Sequence, residues 1–174
     1  MMLKLLVVCG LAAGIGVSAA APAAAQEMLV IRALTDVCLP YAGRARSFEK
    51  ALEAARDLQF RRPIGDTAPI EDWASEVDLV SNDGIWRLRI EEGSREENGA
   101  EVYAVTCSLS SRRASARELA QLAQRAFGNP ERWTMTSEAR WDRRTRRPEQ
   151  QRMVVEVAER PDDRPAMTIT GFYY

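Results

Sequence analysis

The chain's patterned charge is carried by arginine. Arg140, Arg143, Arg144, Arg146 and Arg147 fall close together, with Arg152 shortly after. A guanidinium is a planar fork of donors that matches phosphate and carboxylate oxygens in pairs, so such a cluster points to an anion site. The plainer reading is a solvated hairpin turn, because Asp142 and Glu149 offset part of the charge and short like-charge runs ordinarily face water. Arg112, Arg113 and Arg117 form a second, looser group. Acids also come in neighbouring pairs: Glu91 with Glu92, Glu96 with Glu97, and Asp162 with Asp163. Two carboxyls from different segments facing across a cleft could run glycosidase-like acid/base hydrolysis. That enzyme is the alternative to a binding role, although adjacent acids in turns are ordinarily solvated.

The chain has no histidine. A Ser-His-Asp or Cys-His nucleophile therefore cannot be built, and histidine-based metal sites are excluded with it. No phosphate-cradling glycine loop and no C-x-x-C pair are present. Ser47 and Lys50 match S-x-x-K, the nucleophile spacing of serine β-lactamases and penicillin-binding proteins. The companion S-D-N and K-T-G motifs are missing, and a serine N-cap followed by a solvated lysine explains the pair better. The sequence thus assigns no catalytic residue, no metal ligand and no cofactor.

The first 25 residues read as a cleavable leader. Lys4 precedes an apolar run from Leu5 to Val17, and Ala23-Ala24-Ala25 offers an A-x-A cleavage signal before Gln26. The run and its alanine-rich end suit a signal peptide better than a membrane anchor, which needs about 20 apolar residues. No later stretch is long and apolar enough to span a bilayer. Residues 26–174 then form a single domain in the periplasm or outside the cell. Lys4 is the leader's only charged residue, so its loss takes the net charge from −1 to −2. That near-balance argues against a nucleic-acid partner. Cys9 leaves with the leader, and the remaining Cys38 and Cys107 read as one disulfide in an oxidising compartment.

The elements that must position these residues follow from periodicity. Val30, Ala33, Leu34, Val37 and Cys38 recur at helical spacing, with Pro40 expected to end the run. A second helix starts at Ser47 with the stripe Phe48, Ala51, Leu52, Ala55 and Leu58. A third starts at the capping box of Ser115 and Glu118, carries Leu119, Leu122, Ala123, Ala126 and Phe127, and stops at Gly128. Val77 and Leu79 lead through the turn Asn82-Asp83-Gly84 into Trp86, Leu88 and Ile90. An acidic connection from Glu91 to Glu97 leads to Tyr103, Val105, Cys107 and Leu109. Cys38 and Cys107 both fall on inward-facing positions. Three further strands follow: Trp133 with Met135, Ala139 and Trp141; Met153 with Val155 and Val157; Met167 with Ile169 and Tyr173. A turn at Pro161-Asp162-Asp163 separates the last two. Trp86, Trp133 and Trp141 belong to the core, while Trp73 has no periodic role and is the aromatic expected to be exposed.

The predicted fold is α+β and two-layered, with about three helices on a mostly antiparallel sheet of five or six strands, in an order that allows an αβββ–αβββ pseudo-repeat. The predicted role is a small exported disulfide-containing domain that binds an envelope protein or an anionic ligand. The arginine cluster is its candidate site.

Overall fold

The computed structural model describes residues 20–66, 75–97, 99–145, 151–159 and 164–174. The chain opens with one helical body. Helix α1 (Ala20–Arg32) passes without a break into a π-helical segment (Ala33–Cys38) and then α2 (Leu39–Ala42). Pro40 therefore does not end the run, contrary to expectation. The wider π turn resolves the conflict: Leu39 N–H reaches back to Leu34 O, and Pro40 enters at the start of α2, where its missing N–H is tolerated. The carbonyl of Asp36, which Pro40 cannot serve, accepts instead from the guanidinium of Arg46. Gly43 caps the run.

Helix α3 (Phe48–Asp57) is capped by Ser47, whose hydroxyl accepts from Lys50 N–H at 3.5 Å, and it buries Ala51, Leu52 and Ala55. Strands β1 (Phe60–Arg61), β2 (Glu76–Ser81), β3 (Trp86–Glu97) and β4 (Ala100–Ser111) follow. Helix α4 (Ala116–Phe127) carries the complete capping box: Ser115 N–H donates to the Glu118 carboxylate at 2.8 Å, and Glu118 N–H donates to the Ser115 hydroxyl at 3.3 Å. The chain ends with β5 (Trp133–Ser137), β6 (Arg140–Arg143), β7 (Gln151–Glu159) and β8 (Pro165–Tyr173).

The fold is α+β, with three helical bodies against one antiparallel sheet ordered β1-β2-β3-β4-β8-β7-β6-β5. The sheet has eight strands, not five or six. One extra is β1, whose two residues are too few for a period to register. The other arises because the expected Trp133–Trp141 strand folds on itself as the β5–β6 hairpin, pairing Trp133 with Arg143 and Met135 with Trp141. Shared parity within one strand and across a hairpin look alike in sequence. On this edge Met135 is 58% exposed while Trp133 and Trp141 are buried. The stretch Glu91–Glu97 is likewise no connection. It continues β3, pairing Glu91 with Thr106 through to Glu97 with Ala100.

The core joins the helical stripes to one parity of the strands, Trp86, Leu88 and Ile90 with Val105, Cys107, Leu109, Val155, Met167 and Ile169. The helices therefore cover that face. Trp141 is fully buried with its Nε1 donating to Gln124 at 3.1 Å, and Trp133 packs edge-on against Phe127. Cys38 and Cys107 are bonded, with Cα atoms 5.0 Å apart and both side chains fully buried, so the π-helical segment is tied to β4. The opposite face carries a charge lattice in which Arg89 meets Glu76, Asp78 and Glu91, and Arg152 meets Glu97 and Asp142. Among the described residues no helix is long and apolar enough to cross a membrane. Residues 1–19 of the leader, Trp73 and the turn at Pro161-Asp162-Asp163 lie outside the described residues.

Candidate functional site

Beyond the last core residues, one row of polar side chains crosses the helix-covered face. Ser94, Tyr103, Tyr173 and Gln151 stand in register on β3, β4, β8 and β7. The turn between α2 and α3 lies over this row. It is seated by the Tyr173 hydroxyl, which donates to Ala42 O at 2.6 Å and accepts from Gln151 Nε2 at 3.2 Å. Gly171 lets the turn come that close, since a Cβ there would stand 2.0 Å from the same carbonyl oxygen.

Arg44 sits at the crest of the turn with φ of 53°, a left-handed conformation that a branched or bulky chain rarely adopts. Its guanidinium lies 5.4 Å from the ring centre of Tyr103 and 5.3 Å from that of Tyr173. Stacking over two rings contributes about 0.5–2 kcal/mol, enough to offset a strain of order 1 kcal/mol at one residue. The guanidinium is held in place by aromatic faces and keeps its hydrogen-bonding edge for another partner.

The structure brings only part of the predicted cluster to this turn. Arg143 and Arg144 line a cavity of about 290 Å³ with Gly43, Thr145, Gln151 and Met153. Arg143 Nη1 contacts Met153 Sδ at 3.9 Å, and Arg144 Nε donates to the Thr134 hydroxyl at 3.0 Å. Arg140 is not brought there. Its side chain points to the opposite face and pairs with Glu156 at 3.7 Å. Arg146 and Arg147 lie outside the described residues. Arg44 enters the site unannounced by the sequence; the short basic run Arg44-Ala45-Arg46 between two helical stripes was its only signal.

Charge pairing separates these arginines from their neighbours. Arg89, Arg140 and Arg152 are each held by carboxylates, whereas Arg44, Arg143 and Arg144 have no carboxylate partner among the described residues. The phenols respond to the same surroundings. Burial pushes the Tyr173 hydroxyl above the ordinary phenol range, while Arg44 and Arg143 both pull the other way, which marks their shared proximity to it. Burial also raises Tyr41 and Tyr103, and the nearby Glu92 carboxylate adds to it in both.

On the other flank of the turn a second cavity of about 420 Å³ is lined by Tyr41, Arg46, Ser47, Lys50, Glu92 and Tyr103 among others. The S-x-x-K pair lies on its rim, with Ser47 spent as a cap and bonded to the exposed Glu49. Among the described residues the acidic pairs do not converge, and Asp162 and Asp163 lie outside them. Glu91 and Glu92 project to opposite faces of β3, Glu91 held by Arg89 and Arg95 and Glu92 bonded by the Tyr41 hydroxyl at 3.4 Å. Glu97 is bound by Arg152 and by the Tyr174 hydroxyl at 2.5 Å. Among the described residues no three His, Cys, Asp or Glu side chains are grouped to hold a metal ion.

Fold and site together define a small disulfide-tied α+β domain with a basic turn seated on tyrosines. In comparisons with known proteins, no family model, no curated protein and no solved structure matches this chain significantly.

Proposed function

We propose that the chain is exported, loses residues 1–25, and works in the periplasm or outside the cell as a binding domain for an anionic ligand, with Arg44, Arg143 and Arg144 as the contact residues. One observation carries this reading: Arg44, Arg143 and Arg144 gather around one turn with no ion-pair partner among the described residues, whereas Arg89, Arg140 and Arg152 on the strands are each closed by an acid. The left-handed backbone at Arg44 adds support, because strain is retained where the surrounding structure over-determines it, often at ligand sites. The disulfide and the near-balanced charge suit an oxidising compartment and a local, not a global, anion preference.

Binding of inorganic pyrophosphate by calorimetry tests the site. The wild type should bind, and Arg44→Ala and Arg143→Ala should each weaken binding about tenfold, the share of one charge-assisted contact. Increasing salt should weaken it further. Equal binding by Arg140→Ala and by Arg143→Ala would refute the assignment. Among the described residues no convergent carboxyls support the hydrolase alternative. We also read α3 with β1–β4 and α4 with β5–β8 as two copies of one unit, a reading supported by a strand order that runs outward in reverse from the central β4–β8 pair on both sides.

A further inference from the structure

The cavity on the α3 side of the turn carries opposite charges on opposite walls. On the sheet wall, Glu92 accepts from the hydroxyl of the fully buried Tyr41, and Tyr103 also hydrogen-bonds to it. The wall formed by the turn and α3 presents Arg44, Arg46 and Lys50, with Glu49 at the rim. Neither Glu92 nor any of the three cations has an opposite charge within ion-pair distance among the described residues. Around Arg89, by contrast, opposite charges close on each other. Here they are held apart: Arg44 by its stacking on Tyr103, Arg46 by its bond to Asp36 O, and Glu92 by the tyrosine hydroxyls. A cavity of about 420 Å³ between them is within the size range of small-molecule sites.

We infer that this cavity binds a zwitterionic group with a primary ammonium at one end and a phosphate at the other. The ammonium would sit on Glu92, where the carboxylate and the two phenol oxygens accept its three N–H bonds. The phosphate would face Arg46 and Lys50, with Arg44 beside it. Phosphate suits this wall better than carboxylate. Three cations against the one exposed Glu49 leave more positive charge than a single carboxylate balances, and guanidinium forks favour several anionic oxygens. The inference rests on Glu92, Arg46 and Lys50 and shares Arg44 with the anion site proposed above, but it does not use the Arg143–Arg144 side of the turn.

Calorimetry with O-phosphoethanolamine, inorganic phosphate and ethanolamine as separate probes tests it. The wild type should bind phosphoethanolamine about tenfold more tightly than phosphate, the gain expected from one charge-assisted ammonium contact. Glu92→Gln should erase that preference while binding phosphate as well as before or better, because only the ammonium contact is lost. The Arg143→Ala/Arg144→Ala variant should keep the preference, which separates failure here from failure of the anion site above. Thermal melts of each variant check folding. Vesicles containing phosphatidylethanolamine distinguish a lipid headgroup from a free metabolite, and capture by either source supports the inference. Equal affinity for phosphate and phosphoethanolamine would overturn it, as would a preference that survives Glu92→Gln or no phosphoethanolamine binding at millimolar concentration.

Discussion

Replacing Gly171 with alanine tests how the basic turn is held. Gly171 lies in β8 between Val105 and Met153, on the face that the helices cover. An added Cβ would stand 2.0 Å from Ala42 O, 3.1 Å from Ala42 C and 3.1 Å from the Tyr173 ring. Ordinary contacts between carbons are about 3.5 Å or more, so the end of α2 must lift by roughly an ångström or more. Lifting loses the Tyr173 to Ala42 hydrogen bond, worth about 1 kcal/mol, and overpacking costs about 1–3 kcal/mol more. The stiffer unfolded chain returns about 0.4–1 kcal/mol. The net loss is about 2–3 kcal/mol, which lowers the melting temperature by roughly 5–10 °C in a domain of this size. Urea unfolding followed by tryptophan fluorescence measures it. Pyrophosphate binding should fall in the same variant, because Arg44 rides on the displaced turn. Gly93→Ala is the control: it also lies in a strand, but its added Cβ meets nothing within 4 Å. If Gly171→Ala is as stable as Gly93→Ala and binds pyrophosphate like the wild type, the close seating of the turn is wrong.

Two further predictions concern the whole domain. Cys38→Ala with Cys107→Ala opens a loop of 69 residues and should cost about 4 kcal/mol in the chain-entropy model, measured by urea unfolding against the oxidised wild type; a loss below about 1 kcal/mol would remove the bond from the stability account. Burial raises the Tyr41, Tyr103 and Tyr173 phenols above the ordinary value of about 10, and a hydrogen bond to Glu97 foremost raises Tyr174. A group raised in the folded state contributes stability that is complete below its unfolded pKa and is lost as pH rises above it. Stability should therefore fall above about pH 10, with tyrosinate absorbance appearing together with unfolding, whereas titration of all four phenols at constant stability would contradict the burial.

The Arg140–Arg147 cluster shows how far the sequence reaches toward the site. Its spacing drew attention to a segment that ends beside the α2–α3 turn, but β6 alternates, so Arg140 went to the acid-bearing face and Arg143 to the helix-covered one. Alternation was legible only once the strand's limits were known. Those limits came from the β5–β6 hairpin, which the sequence merged into one strand. Arg44 was less legible still. Nothing local distinguishes it from any loop arginine; its position comes from two tyrosines on strands that meet only through the β4–β8 pairing.

What the sequence determined by itself is local. The stripe of α3, the capping box of α4, the Asn82-Asp83-Gly84 hairpin and the inward parities of Cys38 and Cys107 each depend on residues a few positions apart. Helical and strand periods encode burial directly, so these elements were readable. The tertiary structure alone decided the eight-strand order, the passage of Pro40 through a π turn, and the placing of Arg44 and Arg143 near Tyr173. Each depends on which distant strands pair, and on how closely one backbone can approach another at Gly171. Pairing and approach are fixed by the packing of the whole core, which no short stretch of residues records.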